Sequence, residues 1–543
     1  MTSPLPDTLD KAHEVIVESR NEIVKSREEN AKAREEIASL RRQVEWFRKQ
    51  VFGQKSERRP SAPTDALTED LFGKPAEATP EEIREETSEP AKPPRRRRRG
   101  RTPLPVELSR HEILYDVAPE EKVCACCGRE KARIGEDATE QLEVIPARVY
   151  VVRHVRPKYA CGSCKDAVAQ APLPPQPVPR AVAGPGFLAW LIVSKYADHL
   201  PLCRLERIFA RHGIDLPRAR MCDWLMRVAD LARPLVKAMA NKVRAGPMIQ
   251  ADETSIRLQT KENKGKTETA WVWVYCGEDT APYTIYDFRR GRNHEGPKAM
   301  LEGFAGVLQT DAHGAYDTAL RSLDDEARKA GKAGPYVERA GCWAHARRKF
   351  IEAEESGDPR AAKAILSIKK LFDIEREWKT EADAVMAGDD WRALSAEERH
   401  AERERLLEKR RAARREKSKP VVEALRAWMD ERLDVLPQSP LGQAIGYAQN
   451  QWDTLARFLD DGRIAIDNNA AERALRPIAV GRKNWLFAGS DRGGRAAAAF
   501  FTLLESARRN GLNPLEYLRD ILQRLPAHPI NQIDTLLPDR WTP

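Results

Sequence analysis

Along residues 9–51, apolar side chains occupy six of seven positions spaced seven residues apart, with Asn30 at the other, which is the spacing of a coiled coil. The positions of this seam are Leu9, Ile16, Ile23, Asn30, Ile37, Val44 and Val51. The second seam becomes apolar only at Leu40 and Phe47, so a single long helix packed on its own protein is the alternative interpretation. We predict a coiled-coil helix over residues 1–55 that joins copies of the chain as a dimer.

Between residues 248 and 311 the pattern changes to short runs of β-branched and aromatic residues, which predict strands. The first and last runs end in an acid, namely Asp252 and Asp311. Two hairpin strands and a helix are predicted between them, at residues 270–275, 283–288 and about 296–304. The sequence therefore predicts two strands that each deliver a carboxylate at or near the carboxyl end.

A third acid, Glu472, lies on a predicted short helix over residues 469–476, which we expect Pro477 to stop. Three carboxylates at one point suit two divalent cations, Mg²⁺ or Mn²⁺, in phosphoryl transfer. The alternative for each aspartate is a plain turn or helix cap. Composition alone does not decide between these interpretations.

Three further residues are also candidates for the site near these acids. Glu253 directly follows Asp252, but on a strand its side chain points to the opposite face, so it is the second choice. His313 and His345 are candidates for an assisting role. A histidine near acids is more often a structural hydrogen-bonding residue, which is the alternative for both.

A helical region over residues 181–245 contains a helix, a turn at residues 212–215 and a second helix opening at Pro217. This is a helix-turn-helix pattern, in which Arg218 and Arg220 would reach DNA from the first turn of the second helix. A helical hairpin that binds nothing is the alternative.

Cationic and aromatic side chains also follow Glu472 closely. They are Arg473, Arg476, Arg482, Lys483 and Trp485. We expect the cations to meet DNA phosphates and the indole to stack on an unpaired base at a cleaved end. For Trp485 an ordinary core position is the alternative.

Residues 56–104 are rich in Pro, Glu, Thr and Ala and predict a disordered linker. The linker ends in a run of arginines that would follow a nucleic-acid backbone by charge alone. The run consists of Arg95, Arg96, Arg97, Arg98, Arg99 and Arg101. A merely solvated charged segment is the alternative.

Paired cysteines in residues 105–180 have the spacing of metal-binding knuckles. They are Cys124 with Cys127 and Cys161 with Cys164. Four thiolates in this pattern predict one structural Zn²⁺, with a strand-like run at residues 144–155 filling the gap between the pairs. Cys126 is a spare ligand candidate, and a redox pair is the alternative.

Changes in the pattern of apolar and charged residues predict the remaining domain boundaries. The core is expected over residues 246–355 and 443–490, interrupted by a charged helical insertion at 356–442 and followed by a helical region at 491–543. Within the insertion, Ser395 and Glu398 have the spacing of a capping box. The insertion either lies along DNA or projects into solvent.

The composition of the chain limits its possible partners and its location. The chain has 543 residues and a formal net charge of +9, which favours an anionic partner. We find no signal segment and no apolar stretch long enough to span a membrane. We therefore expect a cytoplasmic protein that associates with the nucleoid when bound to DNA.

Three longer segments carry a resemblance: Gly-Cys-Trp-Ala-His-Ala-Arg-Arg-Lys-Phe at 341–350, Asp-Asn-Asn-Ala-Ala-Glu-Arg at 467–473, and residues 481–490. They resemble the motifs of bacterial transposases of the insertion sequence 66 family, which belongs to the DDE class. The resemblance implies a ribonuclease-H-like catalytic core, with the triad on Asp252, Asp311 and Glu472. It also supports the zinc-binding segment and implies companion proteins from the same element.

The predicted fold class is therefore multidomain α+β: a coiled coil, a zinc-binding module, a helix-turn-helix region and a ribonuclease-H-like α/β core with a helical insertion. The expected function is a transposase that binds element ends, cuts DNA and joins it to target DNA with two Mg²⁺ or Mn²⁺ ions per site. A DNA-binding repressor with an inactive core and a ribonuclease-H-like nuclease that does not join strands are the alternatives.

Overall fold

The computed structural model describes residues 149–155, 158–159, 169–170, 172–260, 266–334 and 336–542. The predicted coiled coil, the linker with its arginine run and the four zinc-ligand cysteines lie outside these residues. The described residues fall into two compact units, a smaller one that ends at Leu173 and a larger one that begins at Pro174.

In the smaller unit, strands β1 (Lys158–Tyr159) and β2 (Ala169–Gln170) pair antiparallel. Residues 149–155, the described part of the predicted strand-like run, are exposed and are not a strand. That part of the prediction is wrong, because β-branched residues form a stable strand only when a neighbouring strand and a covered face stabilise them.

A five-stranded mixed sheet forms the centre of the larger unit, in the order β5-β4-β3-β6-β7. Its strands are β3 (Met248–Leu258), β4 (Glu268–Gly277), β5 (Thr284–Arg289), β6 (Gly306–Gln309) and β7 (Val337–Ala340). Strands β3, β4 and β5 form an antiparallel meander, and β6 and β7 run parallel to β3. The two predicted hairpin strands are confirmed, and their β-branched and aromatic residues suit a buried sheet.

We expected strand β3 to end at or near Asp252, but it continues to Leu258. Its two neighbours explain the difference. Parallel pairing with β6 ends where Gln250 lies opposite Gln309, whereas antiparallel pairing with β4 extends to Leu258. Asp252 therefore lies inside a long strand, just beyond the point where its parallel neighbour ends.

Helices surround this sheet. In chain order they are α1 (Pro185–Ile192), α2 (Leu202–Arg211), α3 (Arg218–Ala245), α4 (Glu295–Leu301), α5 (Gly314–Lys329), α6 (Trp343–Glu355), α7 (Ala361–Ala387), α8 (Asp389–Ala393), α9 (Ala396–Ala413), α10 (Lys419–Asp430), α11 (Pro440–Asn450), α12 (Trp452–Ala456), α13 (Asn469–Trp485), α14 (Asp491–Arg509) and α15 (Pro514–Arg524). Helices α2 and α3 confirm the predicted helical hairpin. Among the described residues, none of these helices combines the length and apolar character needed to cross a bilayer.

Helix α14 protects the free edge of the sheet. Thr502 Oγ1 accepts the Tyr286 N–H at 3.0 Å, and Ser506 Oγ accepts the Thr284 N–H at 3.1 Å. These hydroxyls satisfy backbone donors of β5 that would otherwise remain an open edge. The C-terminal helices therefore pack on the core, as we expected.

A second apolar core lies beside α6 and includes helices of the predicted insertion. Its largest members are Trp343, Phe350, Trp428 and Phe458. The capping box at the start of α9 is confirmed, because Ser395 Oγ accepts the Glu398 N–H at 3.2 Å and the Glu398 carboxylate accepts the Ser395 N–H at 2.8 Å. The insertion is thus a packed helical body that shares its core with α6 and with Met248, Val307 and Ala340 of the sheet.

A buried ion cluster lies in that body. The Glu375 carboxylate on α7 accepts hydrogen bonds at 2.6 Å from both Arg410 and Arg414. Arg414 is fully buried and also donates to the carbonyl oxygens of Phe458 and Ile464. The cluster therefore joins the insertion to the segment that leads into α13.

The predicted end of helix α13 is also wrong. Pro477 does not stop the helix, which runs from Asn469 to Trp485. A proline inside a helix costs about 3 kcal/mol. Leu475, Ile478 and Gly481 lie on one buried face of the helix, and this packing against the sheet outweighs that cost.

We expect Glu375→Ala to lower the free energy of unfolding by about 3–5 kcal/mol, because two buried guanidinium groups lose their counter-charge. Calorimetric melting of the full chain measures the effect. Glu377→Ala is the matched control, since its partner Lys417 is largely exposed and the ion pair contributes little. Equal melting temperatures for the two variants would show that the cluster does not hold the insertion in place.

Candidate active site

Asp252 lies in β3 and Asp311 follows the end of β6, both just beyond the parallel pairing of these two strands. Gln250 of β3 is opposite Gln309 of β6, and each aspartate follows its glutamine by two positions. Two positions along an extended chain return a side chain to the same face. This register leaves the two acids close enough for the Asp311 carboxylate to raise the pKa of Asp252.

Glu472 reaches the same region from the first turn of α13. Two side-chain amides fix the segment that precedes this helix. Asn468 Nδ2 donates to the Ala251 carbonyl at 2.8 Å, and Gln309 Nε2 donates to the Ala465 carbonyl at 2.7 Å. These bonds attach the start of α13 to the two strands that carry the aspartates.

The three carboxylates influence one another electrostatically. The pKa of Asp252 is raised to about 8, first by burial and further by the nearby carboxylates of Glu253, Asp311 and Glu472, although the Glu253 N–H opposes the shift. The Oε1 atom of Glu472 is buried and accepts no hydrogen bond from the described residues. Such a site favours a bound cation, which would remove the repulsion and satisfy the oxygen.

Cys342 and His345 lie beside Glu472, and their ligand atoms lie within 4.8 Å of one another, a group capable of holding a metal ion. His345 Nε2 is 3.7 Å from Glu472 Oε1, and burial lowers the pKa of this imidazole. Cys342 Sγ accepts the Asn468 N–H at 3.2 Å, and burial raises the pKa of the thiol to about 12. Cys342 thus links the starts of α6 and α13.

Glu253 and His313 have other partners. Glu253 Oε1 accepts a hydrogen bond at 2.6 Å from Arg292, and its Oε2 accepts one at 3.1 Å from the Tyr316 hydroxyl. Because Tyr316 belongs to α5, the second of these contacts joins β3 to that helix. The His313 ring accepts the Ala315 N–H at 3.3 Å and caps α5.

A further acid, not predicted from the sequence as a site residue, is Asp467, two positions before the start of α13. Burial raises its pKa, and its carboxylate accepts the N–H of Asn469 at 3.1 Å and the Nδ2 of the same residue at 2.7 Å. Asp467 therefore shapes the turn into α13. Its only signal in the sequence was its place in the Asp-Asn-Asn run.

The predicted DNA-binding residues of α13 fall into two groups. The exposed cations are Arg473, Arg476 and Lys483. Arg482 instead donates to Thr254 Oγ1 at 3.1 Å and to the Ser255 carbonyl at 2.7 Å. Arg482 therefore holds the helix against β3, while the other three cations face solvent.

Arg218 and Arg220 are exposed at the start of α3. Their hairpin touches the far end of α13, because Arg204 of α2 donates to Asn484 at 3.4 Å. The cations of the two helical elements thus belong to one region of the larger unit. The six arginines of the linker lie outside the described residues.

Trp485 packs partly on the core. The residues after it form a turn that was not predicted from the sequence. Leu486 has a φ of 63°, and the Phe487 N–H bonds to the Trp485 carbonyl at 2.7 Å, which makes a strained γ-turn. The turn exposes 63% of Leu486 and 39% of Phe487. Ala488 then pairs with Leu258 and fixes the turn to β3.

Without added divalent cations, Asp252→Asn should stabilise the fold increasingly as the pH rises. The pKa of Asp252 is about 8 in the folded chain, against about 3.9 when unfolded. Wild-type stability therefore falls between these pH values and then levels off, and asparagine removes that loss. Melting temperatures of both proteins from about pH 5 to pH 9 measure the difference. A difference that does not vary with pH would show that Asp252 is ionised in the folded chain.

Four models of known protein families match segments of the chain. The family model described as "Transposase IS66 family" matches residues 180–496, and the "zinc-finger binding domain of transposase IS66" matches residues 121–165. The "IS66 C-terminal element" matches residues 502–538, and "Transposase C of IS166 homeodomain" matches residues 39–113. No solved structure matches the chain.

The chain is also similar to curated proteins of Sinorhizobium fredii that are themselves uncharacterized. Protein y4jD is 35% identical over 449 residues, covering 81% of each chain. Protein y4qI is 34% identical over 501 residues, covering 90% of this chain and 86% of the relative. The family match spans more than half of the sequence, and the chain therefore belongs to the IS66 family of transposases.

Proposed function

We propose that this transposase binds the ends of its insertion sequence, cuts the DNA there and joins the freed end to target DNA. The observation that supports this most is that the carboxyl of Asp252 in β3 interacts electrostatically with Asp311, just after β6, and with Glu472 of the distant helix α13. The mixed sheet that carries the two aspartates supports a ribonuclease-H-like core.

The residues present fit a divalent metal centre. Asp252 carries a raised pKa among neighbouring carboxylates, and Glu472 Oε1 is buried without a partner among the described residues. In this proposal Asp252 and Asp311 hold one side of the centre and Glu472 the other. Two Mg²⁺ or Mn²⁺ ions roughly 3.5–4 Å apart would activate the attacking oxygen and stabilise the leaving one.

The surface beside these acids supports a DNA substrate. Arg473, Arg476 and Lys483 are exposed on the helix that carries Glu472, and Arg218 and Arg220 are exposed on the neighbouring hairpin. Arginine and lysine side chains neutralise phosphates and position a duplex without reading its sequence. We assign element ends and target DNA to this surface, with the arginine run at 95–101 as a further contact.

We also propose roles for the N-terminal part of the chain. The coiled coil at residues 1–55 would join two copies, so that one assembly can hold both element ends. The cysteine module would be a structural zinc site that positions the DNA-binding region. Companion proteins of the same element are expected partners, and the cytoplasm and nucleoid are the expected location.

Asp252→Asn, Asp311→Asn and Glu472→Gln should each abolish cleavage and strand transfer, because each change removes a charge that would hold a cation. Binding to a duplex with the element end should remain within about twofold, since phosphate contacts come from elsewhere. The assay is cleavage and joining of a labelled duplex with Mg²⁺ or Mn²⁺, while Ca²⁺ should support binding better than chemistry.

Glu253→Gln is the matched control, because it changes a neighbouring buried acid whose contacts are Arg292 and Tyr316. It should leave most of the cleavage activity intact. Undiminished cutting by Asp311→Asn would refute the assignment of the triad. Cutting without any joining would favour the nuclease alternative, and end binding without cutting by the wild type would favour the repressor.

Metal analysis of the purified full-length protein should find about one zinc ion per chain. Changing Cys124, Cys127, Cys161 and Cys164 to serine together should remove it, because a closed structural site needs all four thiolates. Cys126→Ser should keep the zinc. Unchanged zinc content in the fourfold variant would show that these cysteines are not the ligands.

A further inference from the structure

His345 is held in a fixed position relative to Glu472. The first residues of α6 are bonded to the segment that precedes α13, since the Trp343 N–H donates to the Ile466 carbonyl at 3.1 Å. Cys342 Sγ accepts the Asn468 N–H at 3.2 Å. The two helix starts therefore form one rigid junction, and the imidazole and the carboxylate project from it side by side.

The two side chains face each other without bonding. The 3.7 Å between His345 Nε2 and Glu472 Oε1 is too long for a hydrogen bond. Glu472 Oε1 and the other ring nitrogen, His345 Nδ1, are both buried without a partner among the described residues. Buried polar atoms are nearly always satisfied in folded proteins, so the unpartnered Glu472 Oε1, facing His345 Nε2 at 3.7 Å, has the character of a ligand position.

The separation of the two atoms suits a shared metal ion. Metal–ligand bonds of about 2.0–2.2 Å place neighbouring ligand atoms roughly 3–3.5 Å apart. A small movement of either side chain would bring both atoms to that separation. Cys342 completes the group within 4.8 Å, but its sulfur already accepts the Asn468 N–H, so the ion would have a nitrogen and oxygen environment.

We propose that His345 is a nitrogen ligand of the divalent ion held by Glu472. This proposal rests on the function assigned to Glu472 above. Mg²⁺ prefers ligands that are all oxygen, whereas imidazole nitrogen suits first-row transition metals. The Glu472 side of the centre therefore binds a transition-metal ion such as Mn²⁺ in preference to Mg²⁺, and the Asp252 side is an oxygen site.

The test uses the zinc-loaded full-length protein with one equivalent of Mn²⁺ and pulsed electron paramagnetic resonance, which detects nitrogen bound to the ion. The wild type should show imidazole nitrogen coupling, and His345→Gln should lose it and bind Mn²⁺ at least about tenfold more weakly. Competition with Mg²⁺ should show that Mg²⁺ affinity changes much less.

His313→Gln is the matched control, because that ring caps α5 and the variant should keep the nitrogen signal. Labelling the wild type with nitrogen-15 histidine should change the coupling pattern, which identifies a histidine ligand even if His345→Gln folds poorly. Bound Mn²⁺ that depends on Glu472 but shows no nitrogen coupling would overturn this proposal and leave the proposed function intact. Absence of any binding that depends on Glu472 would overturn both.

Discussion

The geometry of the site depends on a buried pair of amides. Gln250 Nε2 donates to Gln309 Oε1 at 2.7 Å across the parallel strands, and the Gln309 amide also donates to the carbonyl of Ala465. Gln250 reaches the carbonyl of Asp467. Because a buried amide is costly unless it is bonded, these contacts permit one register of the strands and one path for the chain before Glu472.

The insertion contributes to the same constraint. Arg414 is buried in the helical body and donates to the carbonyls of Phe458 and Ile464, a short distance before Glu472 in the chain. Its charge is balanced by Glu375. The segment that delivers the third acid is therefore held by strand amides on one side and by the insertion on the other. The insertion therefore helps to support the site. The two interpretations drawn from the sequence, that the insertion lies along DNA or projects into solvent, did not include this role.

The sequence predicted those features that local patterns encode. Asp252 and Asp311 could be paired because each follows a strand-like run, and the capping box at Ser395 follows from spacing alone. The place of Glu472 could be inferred only from motif resemblance, since its approach depends on bonds between residues far apart in the chain. Local rules failed at Pro477, where burial of the helix outweighed the cost of a proline. The γ-turn at Leu486 was missed because a leucine with positive φ has no local signal.

These constraints oppose a repulsion that the site contains. The pKa of Asp252 is raised first by burial of its carboxyl and further by the nearby carboxylates of Glu253, Asp311 and Glu472. The amides and the buried arginine keep the acids together despite this repulsion, so the geometry is set before any metal or DNA arrives. Such preorganisation means that a cation gains the full attraction of the acids without first having to assemble them. Under the proposed function, a divalent cation bound among these acids would offset the cost of holding them together.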